Sequence, residues 1–434
     1  MKKLALFGGS PVRAKPFLDQ QTLGAEEKAA VMEVLDSGVL SQFLGEVGPE
    51  FYGGPQVRRT EQAYADFFGV RHAVTTNAAT TALHAAVAAC GLGPGDEVIV
   101  PPFTMTASAT AILMQNAIPV FADIHPETFC LDPQAVRRAI TPHTRAIMMV
   151  DLFGQPAHWD EIRAIAQEYH LKVIEDAAQA AFARYHGRWA GTLGDIGVLS
   201  LNYHKIIHCG EGGVLLTSDP ELARRAQLVR NHGEVVVDAL GLSDITNTFG
   251  SNYRMTEIEA SIARVQLGKL PGLFEHRARL ARHLTRRLNG LPFVSPPHLE
   301  PDVTSTYYLF AVTLAPEAEV GRHLVVQALH AEGIPVSEGY VRPLYLQPMY
   351  QKRQAYQHGC PWSCGHYQGA VSYEAGLCPV AERMQEAELM LLQVCHPPQT
   401  EADIDDVARA FEKVVDNLPV LRAHQLKDRA AVAA

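Results

Sequence analysis

From about residue 60 the chain repeats one pattern: a short apolar run, a turn, then a stretch with helical spacing of its apolar residues. His72–Thr76, Glu97–Val100, 119–122, 145–150 and 172–175 have the length and composition of strands. Segments 80–90, 106–115, 132–140 and 158–169 have those of helices, with Gly93-Pro94-Gly95-Asp96 as a turn between two of them. Such alternation dictates an α/β fold with a mostly parallel sheet covered by helices on both faces. In sheets of this kind ligands bind at the carboxyl ends of the strands. That rule selects Asn77–Thr80, Phe103–Thr106, Asp151–Phe153 and Glu175–Gln179 as candidate site segments.

Past residue 270 the pattern changes. Pro271-Gly272 and a basic helix over 275–287 lead to an alternating strand over 305–314. A helix over 319–332, a strand near 334–337 and a helix over 402–416 follow. This second part is expected to be a smaller α+β unit, giving an N-terminal arm (1–30), a large domain (31–270) and a small domain (271–434). Residues 350–377 lack periodicity and are expected to be a long functional or mobile loop. The last ten residues are expected to be an irregular tail.

With 434 residues, 47% of them hydrophobic, the chain is long enough for two or three domains. The net charge of −10 repels nucleic acid and anionic membranes, so neither is expected as a partner. The apolar start at Leu4–Phe7 is too short for a signal peptide, and no later run approaches the ~20 apolar residues of a membrane helix. A cytoplasmic location is therefore expected. Seven cysteines fit free thiols in a reducing compartment. His358, Cys360, Cys364 and His366 lie too close together to form the two separated ligand pairs of a structural zinc site, so no metal is expected.

The densest chemical signal is Ser200-Leu201-Asn202-Tyr203-His204-Lys205, followed by Gly210-Glu211-Gly212-Gly213. It places a lone lysine in a polar loop after a strand over 196–201. In Glu175-Asp176-Ala177-Ala178-Gln179 an acid caps a buried strand, and Gln179 follows one turn later. A carboxylate in that position can hold a pyridinium nitrogen protonated, which is what a pyridoxal ring requires to withdraw electrons. Asn77-Ala78-Ala79-Thr80-Thr81 joins a strand to a helix N-terminus, where free amides, a hydroxyl and the helix dipole make an anion site. Gly250–Glu257 is a polar loop opening a long helix.

These segments, in this order, resemble the DegT/DnrJ/EryC1/StrS family of sugar aminotransferases, which have the fold-type-I architecture of pyridoxal-phosphate enzymes. The resemblance extends to Phe51-Tyr52-Gly53-Gly54-Pro55, Pro101-Pro102-Phe103-Thr104, Arg230-Asn231-His232-Gly233 and Pro379-Val380-Ala381-Glu382-Arg383. It implies pyridoxal 5'-phosphate held as a Schiff base on Lys205, with Asp176 against the ring nitrogen and Gln179 near the phenolic oxygen. It further implies Ala79, Thr80 and Ser200 at the phosphate, with Asn252 reaching the phosphate from a neighbouring subunit of a homodimer. The implied partners are an amino-acid donor, glutamate or glutamine, and a keto-sugar or keto-cyclitol acceptor. Two positions depart from the family pattern. Met105 stands where relatives stack an aromatic residue on the ring, with Phe103 as the alternative, and Tyr345 stands where many carry histidine. The opening Leu6-Phe7-Gly8-Gly9-Ser10-Pro11-Val12-Arg13 resembles cyclitol and aminobenzoate-forming relatives. Two rivals are weighed: a sugar dehydratase, which in this family replaces the lysine by histidine, and a non-catalytic regulator that keeps the fold.

Overall fold

The computed structural model describes residues 2–433. Helices α1 (Ala25–Ser37) and α2 (Pro55–Phe68) precede the alternating region. There follow β1 (His72–Thr76), α3 (Ala79–Ala89), β2 (Glu97–Val100), α4 (Ala107–Met114), β3 (Ile118–Phe121), α5 (Pro133–Ala139), β4 (Thr144–Val150), α6 (Trp159–Tyr169) and β5 (Lys172–Asp176). A two-residue-strand hairpin, β6 (Arg184–Tyr185) and β7 (Arg188–Trp189), leads to β8 (Ile196–Ser200), β9 (Gly213–Thr217) and α7 (Pro220–Arg230). Seven strands form one sheet in the order β1-β9-β8-β5-β4-β2-β3. The pairs β3–β2, β2–β4, β4–β5 and β5–β8 are parallel, and β9 runs antiparallel to both its neighbours. Each large-domain strand expected from the apolar pattern lies within a residue or two of its place.

Helix α8 (Glu257–Leu288) starts at a capping box, in which Thr256 Oγ1 accepts from the Glu259 amide while the Glu259 carboxylate receives the Thr256 N–H. It runs unbroken through Pro271, where the sequence suggested a change of element. Proline removes one helical hydrogen bond. Burial of Leu267, Leu270 and Phe274 on the same helix holds it together regardless.

The C-terminal part builds a four-stranded antiparallel sheet from β10 (Val294–Ser295), β11 (Phe310–Leu314), β12 (Ser337–Glu338) and β13 (Leu389–Leu392), ordered β10-β11-β13-β12. Its helices are α9 (Arg322–Ala331), α10 (Pro348–Gln351), α11 (Pro379–Arg383), α12 (Glu401–Asp416) and α13 (Leu418–Ala433). Three expectations change. The strand expected over 305–314 begins only at Phe310, because residues 304–306 bond back to the large sheet's loops: the Thr304 amide to Arg184 O (2.8 Å) and the Thr306 amide to Gly154 O (2.9 Å). Strand β13 is not among the expected strands, because all four of its residues are buried and the alternation of a half-exposed strand is missing. The expected tail lies within α13 as far as residue 433, on a helix whose Leu418 and Leu421 are buried, and Ala434 lies outside the described residues.

The stretch 350–377 is irregular, as its sequence implies, but its aromatic residues are anchored. Tyr350, Trp362, Tyr367 and Tyr373 are all buried. The Tyr373 hydroxyl donates to Pro119 O (2.7 Å) on β3 and accepts from Trp362 Nε1 (2.9 Å), while the Tyr367 hydroxyl donates to Glu97 Oε1 (2.7 Å). The segment is a strap along the exposed edge of the large sheet rather than a free loop. Trp362→Ala is accordingly expected to cost about 3 kcal/mol of stability, because it empties a buried aromatic site. Thermal unfolding compared with the parent protein measures this, and an unchanged midpoint would show that the strap is not anchored.

The opening Leu6–Arg13 block also has a structural role. Glu332 receives the Ala5 and Val12 amides (2.8 and 3.0 Å) and pairs with Lys413 (2.8 Å), while Arg13 pairs with Asp403 and Asp406 (2.9 and 2.8 Å). These contacts fasten the amino end to α12 and the turn after α9.

Candidate active site

Register brings the candidate segments to one edge of the sheet. Thr76 and Ser200 both stand opposite Gly213, Asp176 stands opposite Val198, and Val150 stands opposite Asp176. The ends of β1, β8, β5 and β4 are thus side by side around the start of β9. A β-carbon on Gly213 would lie 2.5 Å from Ala78 O and 2.7 Å from Ala79 N, so only glycine lets the start of α3 close over this edge. That start is uncapped: Ala78 supplies no side-chain hydrogen bond to the first turn. Thr76 and Thr81 fix the loop by donating to Ala78 O (2.8 Å each), leaving the half-buried Ala79, the exposed Thr80 and the buried Ser200 around the open amides. Uncapped amides at the positive end of a helix suit a phosphate.

Asp176 is buried. Its carboxylate accepts from Ser108 Oγ (2.7 Å) and the Ala178 amide (3.2 Å). Burial pushes this carboxyl up from its ordinary range, against the Ser108 and Ala178 hydrogen bonds and the charge of Lys205. A protonated ring nitrogen is the compensating cation that such a buried anion lacks.

Lys205 is half-buried in the loop after β8, its amide bonded to Asn202 O (2.9 Å). Its Nζ lies 4.4 Å from the centre of the Tyr308 ring, and its carbonyl accepts from Gln20 Nε2 (2.9 Å). Burial lowers the amine to about 8, with Asp176 opposing that shift and Arg277 reinforcing it.

Gln179 is oriented from both ends. Its Oε1 accepts the Phe153 amide (2.8 Å) and its Nε2 donates to the Tyr340 hydroxyl (3.0 Å). Tyr340 meets Phe103 and Phe153 edge-on, at ring-centroid distances of 5.9 and 5.2 Å. Phe103 is fully buried, whereas Met105 is 56% exposed. Tyr345, at the position of the family's histidine, is buried in the core, where its hydroxyl bonds Glu382 and accepts the Cys378 amide (3.2 Å).

Asn252 is exposed, and its main chain lies against the same chain's cup: Asn252 O accepts from Asn77 Nδ2 (3.4 Å), and Tyr253 O from the Asn77 amide (2.9 Å). Tyr253 is fixed in turn by His84 Nδ1 (2.8 Å), whose imidazole burial lowers to about 4.

Ser108, Tyr308, Gln20 and Arg277 escape a reading of the sequence, whereas the resemblance already implies that Tyr340–Tyr345 lie near the mouth of the site. Of the four, Ser108, one turn beyond Thr104, is near a recognised block. Beneath the site, Glu175 receives the Gly191, Leu193 and Gly194 amides (2.7, 2.7 and 3.2 Å) and holds the turn before β8. Burial and the neighbouring Glu175 push the Asp151 carboxyl well above its ordinary value. Among the described residues no group of three or more His, Cys, Asp or Glu side chains is placed to hold a metal.

The model of the DegT/DnrJ/EryC1/StrS aminotransferase family matches residues 21–390. The chain belongs to this family. Over 429 residues it is 35% identical to an L-glutamine:2-deoxy-scyllo-inosose aminotransferase of Streptomyces paromomycinus, covering 95% of this chain and 98% of that one. A solved structure of DesI in the presence of its TDP-sugar product is 30% identical with a TM-score of 0.78 and covers 99% of both chains. DesV of S. venezuelae, solved in complex with a ketimine intermediate, is 32% identical with a TM-score of 0.76, covering 90% and 94%. The protein is an aminotransferase of fold type I, and its cofactor is pyridoxal 5'-phosphate. The residues present fit that group: open amides for the phosphate, a buried carboxylate for the ring nitrogen and a lowered amine for the aldehyde.

Proposed function

We propose that this aminotransferase moves the amino group of glutamine, or of glutamate, to a keto-cyclitol or nucleotide-linked keto-sugar in an antibiotic or cell-surface sugar pathway. The observation that carries the reading is the placement of the Lys205 amine within the field of the buried Asp176, beside the uncapped start of α3. The names of relatives matched over nearly the whole chain support the substrate class. A dehydratase reading is disfavoured by lysine at position 205, and a regulatory reading leaves this constellation without a purpose.

When bound, the cofactor supplies an electron sink for a carbanion at the substrate carbon. Asp176 would keep the ring nitrogen protonated, its carboxylate oriented by Ser108 Oγ. Lys205 Nζ would take up and return the substrate proton. Ala79, Thr80 and Ser200 would hold the phosphate, Gln179 would face the phenolic oxygen, and Met105 or Phe103 would contact the ring.

The second copy of a homodimer would contribute Asn252. Exposed apolar side chains at Leu23, Met32, Leu40 and Val47 support such an interface, as do Ile245 and Phe249. Asn231 Nδ2, bonded to Leu44 O and Phe51 O (2.9 Å each), ties that apolar segment to the strand-like bridge with Asn252. Light scattering should give twice the 47.4 kDa chain mass. The division into an arm (1–30), a large domain (31–270) and a small domain (271–434) is supported by two separate sheets, with α8 spanning the boundary. No helix among the described residues is long and apolar enough to cross a membrane, and we place the enzyme in the cytoplasm.

A screen of amino donors against keto-cyclitols and keto-sugars, followed by the cofactor's absorbance change, tests the reading. No donor-dependent spectral change with any amino acid would sink it. The Lys205 amine also sets a pH dependence. Its free form prevails above about 8, so the single-turnover rate with donor should rise through that region to a plateau. A rate independent of pH between 6 and 9 would show that another group moves the proton.

A further inference from the structure

Arg277 is 2% exposed within α8, yet among the described residues its guanidinium pairs with no carboxylate. Its NH2 donates to Gln20 Oε1, and its NH1 is buried with no partner among the described residues. The titratable groups that feel its charge are Cys395, Tyr308, His396, His276 and Lys205. Burial pushes the Cys395 thiol up to about 12 and the Tyr308 hydroxyl up as well, and it lowers His396. The shifts of the thiol and the phenol work against an anion and that of His396 against a cation, and no carboxylate is paired with Arg277 among the described residues, so the guanidinium charge stands uncompensated. A buried, unpaired charge is costly to keep.

The guanidinium's contacts lead to the active lysine. Gln20, which accepts from Arg277, donates through Nε2 to Lys205 O (2.9 Å) and Ile206 O (3.3 Å). Tyr308, beside Arg277, carries Lys205 Nζ 4.4 Å above its ring. Eleven residues earlier, three turns back on the same face of α8, the buried Gln266 accepts the His208 amide (3.4 Å) and donates to Thr22 O (3.1 Å). One face of α8 thus holds both the lysine loop and the N-terminal arm.

We propose that Arg277 is a positioning residue for Lys205. Through Gln20 it fixes the lysine loop, and its unneutralised charge disfavours the ammonium form so that the amine is free to move a proton. The groups facing Lys205 are Asp176, which favours the ammonium, Arg277, which opposes it, the adjacent His204, and Tyr308. Arg277 is thereby the counterweight to Asp176. The proposal rests on the role given to Lys205 above.

The test titrates Lys205 itself in the cofactor-free protein, by the pH dependence of its acylation with acetic anhydride, read by mass spectrometry of the Lys205 peptide. In Arg277→Met the midpoint should rise by about one pH unit, while Arg277→Lys, which keeps the charge, should stay within a few tenths of the parent. Gln20→Glu sets a carboxylate against Arg277 and should raise the midpoint with the guanidinium still in place. An unchanged midpoint in Arg277→Met, or an equal shift in Arg277→Lys, overturns the proposal. If Arg277→Met does not fold, Gln20→Glu decides alone, and no rise in it is fatal. Because the readout needs only the amine, cofactor attachment at a different lysine would sink the assigned function and leave this measurement standing.

Discussion

Lys205→Ala is expected to abolish amino transfer, with a fall of at least ~10,000-fold, or about 5.4 kcal/mol of barrier. The size of the effect follows from the two tasks assigned to one atom: covalent attachment of the cofactor and transfer of the substrate proton. Lys205 Nζ is held over Tyr308 by a loop that Gln20 and Gln266 anchor, so both tasks depend on this one placement. The phosphate cup at Ala79, Thr80 and Ser200 lies elsewhere, so the variant should still bind pyridoxal phosphate, more weakly. Borohydride reduction of the parent enzyme followed by peptide mapping should place the pyridoxyl group on Lys205. A label on another lysine, or appreciable turnover by the alanine variant, would refute the assignment.

Asp176→Asn should cost at least ~100-fold in turnover, about 2.7 kcal/mol, with an unchanged fold. The amide keeps the shape of the carboxyl and one acceptor oxygen for the Ala178 amide, and its NH2 can donate to the Ser108 hydroxyl instead of accepting from it, so the loss reports chiefly the charge that keeps the ring nitrogen protonated. Both half-reactions depend on that proton and should slow together. Thermal unfolding controls for structure, and removing a buried anion leaves it no less favourable. If turnover stays near normal, some other group protonates the ring.

The chemistry closest to the strand ends was legible in the sequence. Asp176 ends a strand and the Asn77–Thr80 cup follows one, so the apolar pattern and the strand-end rule locate both, while Lys205, five residues beyond Ser200, stands out through the Ser200–Gly213 block. What supports them was not. Ser108 meets Asp176 across 68 positions, Tyr340 meets Gln179 across 161, Gln20 meets Lys205 across 185 and Arg277 meets Gln20 across 257. Such partners leave no periodic trace, because helix and strand spacing report only which face is buried. The stretch 350–377 misled for a related reason. Its anchors Trp362, Tyr367 and Tyr373 are spaced irregularly, since each fills a niche made by another part of the chain. The proline in α8 misled in the opposite sense, where tertiary burial outweighed a local helix breaker.

The strap has a bearing on how the protein fails. Strand β3 is the last of the large sheet, and beyond it an unguarded row of backbone donors and acceptors would recruit strands from other molecules. Pro119 removes one donor from that row, and the Tyr373 hydroxyl occupies the carbonyl beside it. Loosening the strap should therefore produce sticky, still largely folded molecules before it produces unfolded ones. Preparations of weakened variants should be lost to aggregation on concentration, at temperatures well below their melting, and dilution should rescue them.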